Sequence, residues 1–396
     1  MKNFNSHFQT SIVRLDRLIL AIFIIAMGSV FCSQSRAQSS YYIVKGKVVD
    51  KNNQAPLQGA SVFAQNTTFG VATDADGNFT IKLPTGGYSI AVTYTGYETE
   101  SVRVNNTSPE NDSLVLGMNP QTKSLEEVTV AISSEVKDGW QKYGEFFTKN
   151  FIGQSAYAKQ TSIKNPEILH FYFSKKRNRL KVLATEPVTV QNDALGYILH
   201  FAIDSFTYEY ANTTSLFIGY PLFEEMQGTP EQMDVWRKNR LAAYQGSMLQ
   251  FMRSLYNQTL SQSGYEVQFL VNNGSEDVPV PLQDIYAALN FQKDDSTQVA
   301  EIHPALNSIA VIYKNVRPEI SYLANDSLAN KNFQLSRLLF PQTEPLFIEQ
   351  NGYYFDQTDL VTNGYFGFKK IGDMLPYDYS AVVTTANVIG GKETEQ

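Results

Sequence analysis

The histidines are the first residues to consider for chemistry, because a neutral imidazole binds zinc and gains its proton near physiological pH. The sequence of 396 residues contains four histidines, and His170, His200 and His303 lie outside its amino-terminal apolar segment. None stands in an H-x-x-E or H-E-x-x-H pattern, which would bring zinc ligands together. Glu167 and His170 lie three apart on a predicted strand, where their side chains point to opposite faces. The sequence therefore predicts structural histidines, with no metal site and no cofactor.

Motifs for nucleophilic catalysis and phosphate binding are missing from the sequence. Cys32 is the single cysteine, no G-x-S-x-G elbow presents a serine, and no Gly-rich phosphate loop is present. A glycosidase needs two carboxyl groups that converge across a cleft, and sequence neither locates nor excludes such a pair among 39 Asp and Glu residues. We predict no catalytic residue, and keep an envelope hydrolase that acts on peptides or glycans through residues 131–396 as the alternative function.

A basic cluster occupies a predicted hairpin turn, at Lys175, Lys176, Arg177 and Arg179. Such a cluster can meet the acidic headgroups or the anionic sugars of an outer leaflet. Charged residues at the edges of sheets also prevent aggregation between strands. We favour a solvated turn, and keep these four residues as the candidate surface site.

A second polar pattern, Asp74, Asp76 and Asn78, alternates like the opening of a calcium-binding loop. An EF-hand loop ends with a Glu at its twelfth position, where this chain has Thr85. We therefore predict a hairpin turn in which Gly77 adopts a positive φ.

The first 37 residues have the three parts of an export signal. Its basic segment, apolar run and cleavage site are Lys2 to Arg17, Leu18 to Phe31 and Ser35-Arg36-Ala37. The apolar run is shorter than the roughly 20 residues that span a bilayer as a helix. We expect cleavage after Ala37, which removes Cys32 and leaves a mature chain with no disulfide and no transmembrane span.

The charge of the mature chain argues against nucleic acid as a partner. The full sequence has 32 basic and 39 acidic residues, and loss of residues 1–37 leaves 28 basic against 38 acidic residues. Nucleic-acid binding depends on clustered Lys and Arg that neutralise phosphates. We therefore expect a partner of another class.

Period-two alternation predicts several strands in residues 41–118. The apolar sets are Val44/Gly46/Val48, Ala60/Val62/Ala64, Phe79/Ile81/Leu83 and Tyr88/Ile90/Val92/Tyr94. Turn residues such as Asp76-Gly77 and Pro84 to Gly87 separate them. Short strands joined by tight turns are typical of a β-sandwich.

The order of four segments in this part resembles the carboxypeptidase-like regulatory domain, a transthyretin-like β-sandwich. The segments are Val44 to Val48, Pro56 to Val62, Thr73 to Phe79 and Gly87 to Ile90, followed by the pair Gly96-Tyr97. The resemblance covers residues 41–118. In that family the domain is an accessory module, so the resemblance implies no carboxypeptidase activity.

Residues 119–135 are predicted to be a linker. Within it, Ser124 to Val130 resembles the segment that follows this sandwich in TonB-dependent outer-membrane receptors. Those receptors continue with a plug and a barrel, whereas helical patterns interrupt the rest of this chain. A barrel tolerates no helix that faces lipid, so we reject the receptor interpretation.

Residues 136–396 are predicted to form an α+β domain, and a division of this domain into two subdomains is the alternative. A helix is expected over 136–151, strands over 167–174 and 179–186, and a long strand over Tyr197 to Tyr210. In that strand the apolar set changes face after Asp204-Ser205, which predicts a bulge. Ser215 to Phe223 is the next predicted strand.

A helix is expected to begin with a capping box at Thr229 and Gln232 and to break near Gly246. The strands predicted after it are Val267 to Val271, Ile309 to Tyr313, Phe347 to Phe355 and Tyr365 to Phe368.

The predicted fold is mainly β with α+β: a transthyretin-like β-sandwich, then an α+β domain with an antiparallel sheet and one long or broken helix. An export signal, an accessory-type domain and the lack of a catalytic motif predict a non-enzymatic binding or scaffolding protein. We expect it in the periplasm or at the outer membrane or surface of a Gram-negative bacterium, where the sandwich docks and the α+β domain binds an envelope protein or glycan. Self-assembly through exposed sheet edges is a further alternative.

Overall fold

The computed structural model describes residues 41–121, 135–274, 276–341, 344–354 and 360–381. The predicted export signal and the segment Ser124 to Val130 lie outside these ranges. The described part is mainly β, with several antiparallel sheets and six α-helices, which confirms the predicted fold class. None of the helices described is long and apolar enough to cross a bilayer.

The first seven strands form the predicted sandwich. They are β1 (Tyr41–Asp50), β2 (Ser61–Ala64), β3 (Gly70–Ala72), β4 (Asn78–Pro84), β5 (Tyr88–Thr93), β6 (Glu100–Val104) and β7 (Leu114–Met118). One sheet has the order β4-β1-β7 and the other the order β3-β2-β5-β6. Val44, Val48 and Ile90 are fully buried between the sheets, because alternation sends every second side chain of a strand to the core.

The turn at Asp74 connects the two sheets. The Asp74 carboxylate accepts the backbone N–H of Asp76 at 2.9 Å and of Asn78 at 2.8 Å, and Gly77 has a φ of 78°. The positive φ was predicted correctly, but the hairpin was not, since β3 and β4 belong to different sheets. The Asp74 oxygens are occupied by this turn.

The next part of the chain forms a six-stranded sheet covered by a helix. Its strands are β8 (Thr161–Ile163), β9 (Leu169–Ser174), β10 (Arg179–Ala184), β11 (Val188–Asn192), β12 (Tyr197–Glu209) and β13 (Thr214–Glu225). The order is β8-β11-β12-β10-β9, with β13 paired to β12. The pairing of β12 with β13 shifts between Ile203 and Ser205, which is the predicted bulge.

Helix α1 (Gly139–Phe151) buries an aromatic stripe on this sheet. Phe147 is fully buried, and its ring centroid lies 6.0 Å from that of Phe171 and 5.0 Å from that of Phe206. Residues four apart lie on one face of a helix, so Phe151 joins the same core. The aromatic stripe is therefore structural.

A second core lies under a five-stranded sheet of order β15-β14-β18-β19-β21. Its strands are β14 (Tyr265–Asn272), β15 (Asp277–Pro281), β18 (Ser308–Tyr313), β19 (Gln334–Leu339) and β21 (Val361–Gly364). A small sheet contains β16 (Gln292–Lys293), β17 (Ala300–Ile302) and β20 (Leu346–Ile348). The remaining helices are α2 (Pro230–Tyr244), α3 (Met248–Tyr256), α4 (Ile285–Ala288), α5 (Ile320–Asn325) and α6 (Tyr365–Phe368).

The start of α2 and the break after it agree with the sequence prediction. The Gln232 N–H donates to Thr229 Oγ1 at 3.3 Å, and the Thr229 N–H donates to Gln232 Oε1 at 2.8 Å. Gly246, at φ 76°, separates α2 from α3. Helix α3 ends at Tyr256, and Gln258 shortly after it has a φ of 54°.

The predicted strand over Tyr365 to Phe368 is wrong, because these residues form α6. Strand β21 ends at Gly364, whose φ of 67° turns the chain. The Phe366 N–H then donates to Ser336 Oγ at 3.0 Å. Tyr365 and Phe366 are neighbours in the chain, and both are buried.

Candidate functional site

The sandwich is joined to the six-stranded sheet through its loop of residues 65–68, here called the sandwich loop. The Asn66 N–H donates to Pro221 O at 2.8 Å, and the Phe223 N–H donates to Thr67 O at 2.9 Å. The two hydrogen bonds make a parallel bridge to β13. The described residues from Tyr42 onward belong to one compact unit.

Residues 376–381, here called the C-terminal segment, hold the other side of the sandwich loop. The Tyr377 N–H donates to Asn66 O at 2.6 Å. The Asp378 carboxylate accepts the Thr68 N–H at 3.0 Å and also the Thr68 hydroxyl. The sandwich loop therefore lies between β13 and the C-terminal segment.

Arg253 of α3 holds the C-terminal segment in turn. Its guanidinium donates to Asn351 O at 2.9 Å, and to Tyr379 O and Tyr377 O at 2.8 Å each. A guanidinium presents several N–H donors in one rigid plane, so one side chain holds three carbonyls on two stretches of backbone.

A second contact of the sandwich depends on a buried carboxylate. The Glu349 side chain is 3% exposed and pairs with Arg103 of β6. It also accepts the Gly87 N–H at 3.2 Å, and Asn351 Nδ2 donates to Gly87 O at 3.4 Å. A buried charge needs such partners, because its desolvation is costly.

A cavity of about 220 Å³ lies where the sandwich loop, the start of α3 and residues 369–377 meet. Asn66, Leu249, Tyr354 and Tyr377 are among its lining residues. Burial raises the pKa of Tyr354 to about 12 and that of Tyr377 well above its usual range. Both phenols therefore stay protonated. The cavity has the volume of about seven water molecules.

An ion cluster forms one side of this cavity. Lys369 Nζ pairs with Glu319 and lies 2.9 Å from Asp373 Oδ1. Burial raises the pKa of Asp373, although Lys369 opposes the rise. Burial also lowers the pKa of Lys370, whose ammonium donates to Ser215 Oγ at 3.1 Å. The cavity thus brings one carboxyl and two amines together.

A depression of about 660 Å³ lies between α4 and β16. Tyr286, Phe291 and Lys293 are among the residues that line it, and no carboxyl is among them. It lies outside the 220 Å³ cavity, with which it shares no lining residue.

Two of the histidines form surface contacts with acidic residues. His170 Nδ1 lies 2.9 Å from Glu135 Oε1, and His200 Nε2 lies 3.1 Å from Glu224 Oε2. Within the ranges that the structure describes, no group of three or more His, Cys, Asp or Glu residues is placed to hold a metal ion.

The basic cluster lies on the turn between β9 and β10, as predicted. Lys175, Lys176 and Arg177 are exposed there. Arg179 differs from the other three, because it starts β10 and pairs with Glu209 of the neighbouring strand. The structure therefore brings together three of the four candidate residues at one exposed turn.

The turn between β12 and β13 lies beside this basic turn, since the Tyr210 N–H donates to Asn178 O at 3.2 Å. Residues 211–214 are exposed, and their sequence is Ala-Asn-Thr-Thr. We call residues 175–178 and 211–214 together the basic tip. The basic tip contains three cationic side chains and no acidic one.

Five aromatic side chains pack next to the basic tip and are only half-buried. We call them the ring cluster: Tyr143, Phe146, Phe173, Tyr208 and Tyr210. Ring centroids lie 6.0 Å apart for Phe173 and Tyr210, 4.9 Å for Tyr208 and Tyr210, and 4.7 Å for Phe146 and Tyr208. We did not predict from the sequence that these residues lie beside the basic turn. The signal was the change of face in β12, which places Tyr208 and Tyr210 on the side of α1.

Comparison with solved structures gives only weak likenesses. Catechol 1,2-dioxygenase from Acinetobacter sp. ADP1 is 13% identical over 23% of this chain and 56% of the dioxygenase, with a TM-score of 0.19. A DUF3823 family protein from Bacteroides ovatus ATCC 8483 is 11% identical over 48% of this chain and 83% of its own, with a TM-score of 0.17. BcpA, the major pilin subunit of Bacillus cereus, is 10% identical over 81% of this chain and 97% of the pilin, with a TM-score of 0.15. This chain thus spans little more than half of the dioxygenase, and scores this low support no functional statement.

No curated protein is significantly similar to this sequence. The family model of the CarboxypepD_reg-like domain, in contrast, matches residues 44–130. That range includes β2 to β7 and most of β1, together with the segments that carry the resemblance. Residues 44–130 of this chain are therefore a CarboxypepD_reg-like domain, and the described part of that domain is a β-sandwich.

Proposed function

We propose that this chain is an exported, non-enzymatic cell-envelope protein that binds an anionic envelope component through its basic tip. The observation that carries the proposal is the basic tip itself, in which three cations and no acid lie beside half-buried rings. The chain as a whole has a net charge of −7. A local excess of positive charge on an acidic protein favours an anionic partner.

In this proposal the sandwich is a fixed support for the binding part of the chain. The sandwich loop is hydrogen-bonded on both sides, and Glu349 pairs with Arg103 inside the junction. Deletion of residues 41–118 would leave the Glu349 carboxylate without these partners. Point substitutions on the surface therefore test the function better than a deletion does.

The test replaces Lys175, Lys176 and Arg177 with alanine and measures cosedimentation of the purified chain with Gram-negative envelope fragments at low salt. Each cation near an anionic surface contributes roughly 1 kcal/mol, so we expect the loss of three cations to weaken binding about a hundredfold. High salt should weaken the wild-type binding in the same way.

The matched control replaces the exposed residues Lys51, Lys164 and Lys238 with alanine. It removes the same charge from the sandwich, the loop after β8 and α2. Retained binding in this control, together with loss in the basic-tip variant, supports the proposal. Equal binding by both variants would contradict it.

One observation favours the alternative, a hydrolase. The lining of the 220 Å³ cavity includes Tyr377 and also Asp373, whose pKa burial raises and which pairs with Lys369. A carboxyl with a raised pKa suits a general acid. If the chain is a hydrolase of peptides or glycans, this cavity is where we expect the reaction.

The hydrolase alternative predicts that Asp373→Asn abolishes turnover of peptide or polysaccharide substrates. The control is Asp112→Asn, whose side chain is 81% exposed, and circular dichroism checks that both variants fold. Turnover by the wild-type chain that only Asp373→Asn removes would replace our proposal. Absence of turnover in the wild-type chain would rule out the tested substrate classes.

A further inference from the structure

We infer that the basic tip docks onto the surface of an anionic lipid bilayer, where its cations contact headgroup phosphates and the ring cluster faces the interface. This inference rests on the proposed function and specifies its partner. It is argued from the charge of the basic tip, the rings beside it and the shape of the two turns.

An acid close to the basic tip already has a cationic partner. Arg179, the fourth residue of the basic cluster, is paired with Glu209, so that this acid does not neutralise the exposed side chains. Lys142 adds a cation at the ring cluster, since its Nζ lies 5.2 Å from the Tyr143 ring centroid. Phosphate groups attract such clusters within about a Debye length, which is close to 8 Å at physiological salt.

The ring cluster suits a lipid interface. Tyrosine rings are enriched at the level of the headgroups, because each has an apolar body and a polar hydroxyl. Tyr143, Tyr208 and Tyr210 are half-buried, and their buried sides pack on one another and on Phe146 and Phe173. Core packing explains those sides, and Phe173 and Tyr210 lie within two residues of the basic tip in the chain.

The shape of the basic tip favours a surface over a chain-like ligand. It consists of two adjacent turns, each with four exposed residues, and none of these residues lines either cavity described above. A glycan is usually held in a concave site with converging polar groups. A membrane requires only that charged and interfacial side chains reach one plane, and two neighbouring turns provide this.

The expected binding is weak and reversible. A few cations without an inserted chain give marginal affinity, and stable anchoring needs a second signal. The docking would therefore orient the basic tip toward a bilayer without fixing the protein there permanently.

The experiment measures cosedimentation of the full chain with vesicles of phosphatidylcholine alone and with vesicles that also contain phosphatidylglycerol. We expect salt-sensitive binding to the phosphatidylglycerol vesicles only. Alanine at Lys175, Lys176 and Arg177 should weaken it about a hundredfold. The charge-retaining variant Lys175→Arg, Lys176→Arg, Arg177→Lys should bind like the wild-type chain, because a diffuse surface potential depends on charge and not on donor geometry.

A second arm uses soluble polygalacturonate, an anionic polysaccharide, as the probe. Binding to polygalacturonate without binding to phosphatidylglycerol vesicles would overturn the lipid inference and leave the proposed function standing. Failure to bind both probes and envelope fragments would overturn both. If the alanine variant still binds the vesicles, the inference is also overturned. The three side chains are exposed, so we expect this variant to fold, and an unchanged urea midpoint will show it.

Discussion

Replacement of Glu349 by alanine is expected to lower the free energy of unfolding by about 3 kcal/mol. The substitution removes one partner of Arg103 and the acceptor of the Gly87 N–H, both at the junction between the sandwich and the rest of the chain. Removing one member of a buried ion pair typically costs about 3–5 kcal/mol. Arg103 is 32% exposed, so water can solvate it after the substitution, and we expect the lower end. Urea unfolding followed by circular dichroism measures the change.

Glu349→Gln is the matched control, because the amide retains the shape and one oxygen that can accept the Gly87 N–H. We expect it to cost less than the alanine substitution. An unchanged urea midpoint for Glu349→Ala would contradict a stabilising role for this contact.

The elements that the sequence predicts well are those determined by neighbouring residues. The capping box at Thr229 and the break at Gly246 depend on backbone donors within a few positions, so local sequence contains the information. The bulge in β12 was visible because the apolar set changes face after Asp204. Apolar and polar side chains alternate with period two along a half-buried strand, and one extra residue shifts the apolar positions by one.

The elements that the sequence does not predict depend on distant residues. Glu349 and Gly87 are 262 positions apart, and nothing near Glu349 distinguishes it from an exposed acid. The parallel bridge between Thr67 and Leu222 is equally remote. The failed strand at Tyr365 has a different cause, since four residues with two aromatic neighbours fit a strand and a helical turn alike.

The candidate surface was predicted in part. Charge alone identified Lys175, Lys176 and Arg177, because an unbroken run of cations is visible in one dimension. It could not show that Arg179 pairs with Glu209 across two strands. The ring cluster combines residues of α1, β9 and β12, so it becomes visible only after these elements pack.

The predicted linker at 119–135 and the domain boundaries around it stay predictions, since residues 122–134 lie outside the described ranges.

The contacts of the sandwich nevertheless have a consequence for the proposed function. A sandwich held by the sandwich loop and by Glu349 is unsuited to swing as a separate docking module. The binding surface then keeps a constant orientation relative to the sandwich.

Arg253→Ala is expected to release the C-terminal segment while the rest of the chain stays folded. Three carbonyls, of Asn351, Tyr377 and Tyr379, lose their donors. Hydrogen bonds from a charged group contribute about 1.5–3 kcal/mol each. Arg253 is half-buried, so water can reach the site after the substitution and replace part of the lost hydrogen-bond energy. We expect a net local destabilisation of about 3 kcal/mol, or roughly a hundredfold in the opening equilibrium.

Limited proteolysis with chymotrypsin measures this opening, because the enzyme cleaves after aromatic residues such as Tyr377 and Tyr379. The rate of cleavage of a transiently open segment follows the fraction of molecules in which the segment is open. Arg253→Lys is the control: it keeps the charge, yet an ammonium cannot reach three carbonyls in one plane, so we expect intermediate cleavage. Equal cleavage of the alanine variant and the wild-type chain would show that other contacts, such as those of Asp378 with Thr68, suffice to hold the segment. Faster cleavage would instead place Arg253 at the centre of the junction, since the segment it holds both lines the 220 Å³ cavity through Tyr377 and fixes the sandwich loop through Asn66.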